Sequence, residues 1–348
     1  MPLTLSRRHR PAEDQYPPPA WNPAPERSHT LGLFDEASDD DWERAFEFCS
    51  THPPIPPKLL ASDVIDRARV HGCAAWNLER PTEDTHFVGH IGWGDQKIKT
   101  GSGASRGGST WKVRTEERCR DSCVTSDLPL MAGLYDIHGR RGVYYEVRVN
   151  RMEGVVAIGA SLSYYRHKIP SVFTTIVADS ISIPILGTAC KLYPSWRLPG
   201  WNRLSAALHL DDLRKFFEDP DGGRDYPIDA PGGGGPAGHF QISPGSVVGC
   251  GYEFGTGALF FTHNGVRLPN AFVGIYMPRV DHDVYAAIGF EGANEVEVNF
   301  GSSDFRWREG NDGAWRVDGH VGYMVGSGPG QDELLPSYSD SEATAAVT

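Results

Sequence analysis

With 348 residues, 39% of them hydrophobic, and a formal net charge of −12, the chain has apolar material for a core of one or two domains and lacks the basic footing of a general nucleic-acid binder. Its 40 glycines and 26 prolines make up about 19% of the residues against about 12% in ordinary usage, which excludes a mostly helical protein because both residues damage helix interiors. Six cysteines are too sparse for a disulfide scaffold, and Cys119 and Cys123 stand four apart with no Cys-x-x-Cys anywhere, so thiols in a reducing compartment are expected and no metal site.

Residues 1–30 are polar and Pro-rich, with Tyr16-Pro17-Pro18-Pro19, and read as a disordered extension without a secretory leader. Residues 31–80 read as a short helical section. Ser38 is placed to cap a helix opening on Asp39, Asp40 and Asp41, in which Trp42, Ala45, Phe46 and Cys49 recur at helical spacing. Pro53, Pro54, Pro56 and Pro57 stop it. A second helix is expected over Ser62–His71, with Gly72 as its C-terminal stop. Residues 81–119 form a Gly/Ser-rich connection with room for first strands. From about residue 120 the pattern turns to strands. Val143, Tyr145, Val147 and Val149 alternate with Tyr144, Glu146 and Arg148, and Asn264-Gly265 between two β-rich runs is a hairpin signal, because a type I′ turn needs positive φ at both positions. Many short strands between Gly/Pro turns imply an antiparallel sandwich over 120–310. Residues 311–348 read as a C-terminal extension ending in an acidic tail. No stretch of about 20 apolar residues occurs; the nearest, Val172 to Cys190, is interrupted by Asp179 and Pro184.

Catalytic motifs are lacking. Gly103-Ala104-Ser105-Arg106-Gly107 fits Gly-x-Ser-x-Gly but has neither a buried strand before it nor a helix after it, and no phosphate loop or His-Glu-x-x-His pair exists. No catalytic residue and no cofactor is assigned. Leu335-Pro336-Ser337-Tyr338 in the tail is similar to the Pro-Pro-x-Tyr or Leu-Pro-x-Tyr ligands of WW domains: proline pre-orders the extended backbone and tyrosine fills an aromatic groove.

Several segments together resemble a SPRY (B30.2-like) domain. They are Val143-Tyr144-Tyr145-Glu146-Val147, Arg197-Leu198-Pro199-Gly200-Trp201, His209-Leu210-Asp211-Asp212, Gly249-Cys250-Gly251-Tyr252, His263-Asn264-Gly265, Ala286-Ala287-Ile288-Gly289 and Val298-Asn299-Phe300-Gly301. Their flavour is that of fungal SPRY proteins related to endosomal ubiquitin-ligase adaptors, and more distantly of the Ran-binding-protein group. The resemblance implies an all-β bent sandwich of concanavalin-like jelly-roll type and non-enzymatic recognition of a partner protein or peptide through loops at one end. On that footing Arg197, Trp201, Asp211, Asp212, Arg214 and Lys215 are the candidate partner-binding residues; core packing of Trp201 and an ion pair of Asp211 with Arg214 or Lys215 are the competing structural readings.

The chain departs from the family in three ways. The adaptors carry an N-terminal membrane span, for which this sequence shows no segment, so the expected place is cytoplasmic, peripheral to endosomal membranes. Ser246 stands where aspartate is usual. Residues 160–187 form an atypical insert, read either as a long surface excursion or as translated intron. An adaptor linking cargo to a WW-domain HECT ubiquitin ligase is the favoured reading. A SPRY subunit of a larger ligase or scaffold complex, for which residues 311–348 are short, and an enzyme with an unrecognised site are the rivals.

Overall fold

The computed structural model describes residues 39–53, 55–81, 86–95, 109–153, 155–160, 185–189, 193–202, 204–211, 213–219, 223–226 and 242–324. Two helices open the described chain, α1 (Asp39–Thr51) and α2 (Ser62–His71), the second closed by Gly72 at φ 56°. Among the described residues fifteen strands form two sheets. The first runs in the order β1 (Leu78–Glu79), β4 (Ser122–Met131), β14 (Val284–Glu291), β6 (Val155–Ala160), β7 (Ile185–Ala189), β8 (Ser205–His209), β9 (Arg214–Phe217) and β10 (Arg224–Asp225). The second runs β13 (Val266–Phe272), β12 (Ala258–His263), β11 (Val247–Glu253), β5 (Gly142–Met152), β15 (Asn294–Asn299), β3 (Ser109–Thr115) and β2 (Gly89–Asp95). Among the described residues all pairings but β6–β7 are antiparallel, as the sandwich reading requires.

The core lies between the sheets. From β5 it takes Val143, Tyr145, Val147 and Val149, the face that alternation marks out, against Val124 and Leu130 of β4, Ala286, Ile288 and Phe290 of β14, and Val248 and Tyr252 of β11. The β12–β13 hairpin turns on Asn264 (φ 49°) and Gly265 (φ 86°), both positive as the Asn-Gly pair demands.

The opposite face of β5 is also buried. Tyr144 packs with Phe260, Phe305, Trp307 and Trp315, so the segment after β15 folds back over the outside of the second sheet. The Glu146 carboxyl group anchors that segment. It accepts the backbone N–H groups of Arg306 (2.8 Å) and Trp307 (2.9 Å) and the Tyr144 hydroxyl (2.8 Å). Three short 3₁₀ turns over 308–319 continue the covering.

Helix α1 differs from the stripe its spacing suggests. Trp42 and Phe46 stack on each other at 5.6 Å and face outward, 43% and 63% exposed, while Asp41, Arg44, Ala45, Phe48 and Cys49 turn inward. The reason is a polar and aromatic surface beneath the helix: the Arg44 guanidinium lies 4.0 Å from the centre of the Trp196 ring, and Phe48 meets the same ring edge-on at 5.2 Å.

The first sheet forks where the atypical insert begins. β6 pairs with β14 through Phe290–Val156 and Glu291–Val155, and β7 then takes over β14 through Ile288–Leu186 to Tyr285–Ala189. Continued along β14, the β6 register would bring Ile158 opposite Ile288, the place that Leu186 holds, and Ile158 and Leu186 are themselves partners across the β6–β7 pair. The two stand 28 positions apart, the length of the insert, so the added residues leave the register of both flanks unchanged. Residues 161–184 lie outside the described residues. A chain in which Gly159 is joined directly to Thr188 is expected to fold to the same sandwich, with a midpoint of thermal unfolding within a few degrees of the full chain. A non-cooperative melt would show that β7 is needed to close the sheet.

Candidate functional site

The loop after β7 lies on the outer face of the first sheet, where Tyr193 packs on Cys123 and Ala287, neighbours of the core residues Val124 and Ile288 that point the other way. It carries the first candidate residues inward. Arg197 is 0% exposed, donates through Nε to Oδ1 of Asn202 (2.9 Å) and stacks 4.6 Å from the centre of the Trp201 ring, itself buried. Burial lowers the Arg197 pKa, opposed by Tyr193, Asp121 and Asp41. Burial raises that of Asp121 to about 6, opposed first by Arg197.

The other candidates separate from this pair. Asp211 is half-buried after β8, and Asp212 lies outside the described residues. Arg214 donates through Nη2 to the Gly223 carbonyl (3.0 Å) and sits 3.8 Å from Asp225, across the β9–β10 ribbon. Lys215 reaches the other sheet: Nζ donates to the Ala271 carbonyl of β13 at 2.7 Å, between the rings of Tyr226 (5.6 Å) and Phe272 (5.3 Å). Burial lowers its pKa, with Arg224 adding to the effect. In this arrangement Arg197, Trp201, Arg214 and Lys215 fasten loops and sheets together.

An open groove forms elsewhere, at an end of the sandwich. It has a volume of about 450 Å³ and is lined by Ile55, Pro56, Pro57, Leu134, Leu204, Val280, Asp281 and His282. Four separate segments meet there: the proline connector, the β4–β5 loop, the residue before β8, and the turn before β14. Asp283 ties three of them together. Its Oδ1 accepts the Gly133 N–H (2.7 Å) and its Oδ2 the Lys58 N–H (3.3 Å), while Arg279 Nη1 donates to the Gly133 carbonyl (2.8 Å). A Cβ at Gly133 would run into the His282 carbonyl, so only glycine lets the β4–β5 loop approach so closely. The Tyr135 hydroxyl accepts the Leu60 N–H (2.9 Å) and fixes the connector further. Burial lowers the His282 pKa, favouring the neutral ring.

The groove is thus a stiff apolar cleft with one carboxylate and one imidazole at its rim, of the size that takes a few side chains of a ligand. Leu134 and Val280 are exposed along it. In the sequence Pro53, Pro54, Pro56 and Pro57 mark only a helix stop, and nothing local marks Leu134 or Val280. Among the described residues no group of three or more His, Cys, Asp or Glu could hold a metal ion, and no helix is long and apolar enough to cross a membrane. The Gly103–Gly107 match, Tyr16–Pro19 and the Leu335–Tyr338 motif lie outside the described residues.

Residues 142–303 match the SPRY domain family, spanning β5 to just beyond β15. The chain is 33% identical over 140 residues to a protein named ssh4 from Sclerotinia sclerotiorum, covering 40% of this chain and 24% of that one. It is 31% identical over 159 residues to a SPRY domain-containing protein of Schizosaccharomyces pombe (46% and 35%) and 30% identical over 162 residues to the ssh4 protein of Aspergillus fumigatus (45% and 29%). The chain therefore spans about a quarter to a third of the length of these curated relatives. It carries a SPRY domain on an antiparallel sandwich and is related to the fungal Ssh4 proteins at about 30% identity over about 40% of its length.

Proposed function

We propose that the chain binds a partner protein through the groove between the proline connector, the β4–β5 loop and the turn before β14, and that it serves as an adaptor presenting that partner to a WW-domain HECT ubiquitin ligase through Leu335, Pro336, Ser337 and Tyr338. The observation that carries the first half is the groove itself: exposed aliphatic side chains gathered in a cleft that Asp283 and Arg279 hold in shape before any partner arrives. Rigid apolar clefts with a polar rim suit an extended segment that offers one or two aliphatic side chains and a few hydrogen-bond partners. The tail supports the second half by its chemistry, a proline-ordered Tyr ligand among Asp332, Glu333 and Asp340. The relationship to Ssh4 proteins and the SPRY match agree with a binding module. A place on the cytoplasmic side of endosomal membranes follows from this adaptor reading.

Two substitutions in the full chain test the two halves separately. Val280→Glu places a charge on an exposed wall of the groove; it is expected to cut partner recovery in affinity purification about tenfold or more while leaving the melting temperature within about 2 °C, because the residue is half in solvent. Tyr338→Ala is expected to abolish capture by isolated WW domains and leave recovery of the groove partner unchanged. Unaltered recovery with Val280→Glu would remove the groove from the proposal; unaltered WW capture with Tyr338→Ala would remove the ligase.

A further inference from the structure

Helix α1 sits over Arg197, and two features set this contact apart from ordinary core packing. First, the guanidinium is fully buried, yet only Nε is used; Nη1 and Nη2 have no hydrogen-bond partner among the described residues. Unsatisfied charged donors of this kind are costly, and native interiors seldom retain them. Second, α1 docks by charge and ring contacts and leaves its most apolar pair, Trp42 and Phe46, in solvent. Its inward stripe offers Asp41, whose charge reaches both Arg197 and Asp121, then Arg44 and Phe48 on Trp196, with Ala45 fully buried between them. A 13-residue helix is marginal alone, so α1 persists only while this contact holds. The prolines that follow it at 53, 56 and 57 separate it from α2, so it can leave without unwinding the next helix.

We propose that α1 is a detachable cover on a second binding site, centred on Arg197 and Trp196, whose ligand in trans is an acidic peptide segment carrying an aromatic ring. The cover itself defines that chemistry, for it presents a carboxylate toward the guanidinium and a phenyl ring to the Trp196 edge. An incoming segment that brings a carboxylate within reach of Nη1 and Nη2 would gain charge-assisted hydrogen bonds that the covered state lacks. The occupied cover lowers the apparent affinity in trans in proportion to the fraction of molecules in which it is open. The site shares no groove-lining residue with the cleft proposed above, and stands or falls independently of it.

The test uses the full chain and, as probe, a fluorescent synthetic peptide with the sequence of residues 38–52 and serine for Cys49, followed by anisotropy. Ala45→Arg, which removes the buried small residue on which α1 rests, is expected to bind the probe about tenfold tighter than the unaltered chain, or more. Adding Arg197→Gln to that variant is expected to return the affinity to the unaltered level. A probe in which Asp39, Asp40 and Asp41 are replaced by asparagine, which leaves the protein untouched, is expected to bind at least about tenfold more weakly to the Ala45→Arg chain. Equal binding by the unaltered and Ala45→Arg chains would overturn the cover, and an undiminished affinity of the asparagine probe would overturn the carboxylate–Arg197 contact. Val280→Glu is expected to leave all of these values unchanged, so failure here and failure of the groove are distinguishable.

Discussion

Replacing Glu146 by alanine is expected to destabilise the protein by about 3–5 kcal/mol, because two backbone N–H groups and a tyrosine hydroxyl lose their acceptor together in a buried site. The site is tightly packed: Tyr144 is closed in by Phe305 at 4.9 Å and Trp307 at 4.7 Å, and with Glu146 gone its hydroxyl keeps only the Thr262 hydroxyl at 2.7 Å, so the two backbone N–H groups carry most of the loss. The damage should concentrate in the C-terminal covering. Trp307 and Trp315, 5.2 Å apart, would loosen from Phe260, and tryptophan emission should shift to the red before the sheets themselves melt. Glu146→Gln keeps one carbonyl acceptor and should cost less than half as much. Chemical unfolding of both variants checks this; a loss below about 1 kcal/mol for alanine would mean that the covering segment is held by its aromatic rings alone.

Acid should weaken the fold through two buried histidines. His320 accepts the Ala132 N–H on Nε2 (3.0 Å) and packs edge-on against Phe254 at 5.4 Å. Burial, with Arg279 and Arg140 nearby, pulls its pKa from 6.5 to about 3. His209, stacked on Phe216 at 3.4 Å, is displaced well downward by burial and then by Arg214. The unfolded chain therefore takes up protons from about pH 6.5 downward while the folded chain does not. Stability is fully present above 6.5 and is lost progressively as the pH falls toward the folded values. For His320 alone the loss between pH 7.5 and 5 is about 2 kcal/mol. Asp121 and Asp127 are shifted upward, chiefly by burial, and so act in the opposite sense. The histidine contribution is therefore read from the difference between the parent and His320→Gln, which retains an acceptor for Ala132. The variant is expected to lose about 2 kcal/mol less than the parent between pH 7.5 and 5, measured by urea unfolding. Parallel pH profiles would show that burial does not lower the His320 pKa.

Local rules were sufficient wherever a structure is decided by residues close in the chain. Helix α2 stops at His71 because Gly72 takes a positive φ that glycine adopts cheaply, and the Asn264–Gly265 hairpin follows from the same backbone freedom. The alternation of β5 named its core face correctly, since the pleat assigns every second side chain to one side. The SPRY segments, in order and spacing, named the fold.

What surrounds those elements was decided by the tertiary structure. Tyr144 and Glu146 lie on the face of β5 opposite the core, and only the return of residues 305–315 buries them. Arg197 and Trp201, which a loop position suggests as contact residues, are inward because Tyr193 draws their loop onto Cys123 and Ala287. The groove joins Lys58 to Asp283 across 225 positions of sequence, and no local pattern records such a meeting. Composition, periodicity and turn chemistry act over a few residues and therefore determined the strands, their faces and their turns. Burial, charge pairing and cleft shape depend on which distant segments come to rest against one another, and the packing of the two sheets, the C-terminal covering and α1 settled those.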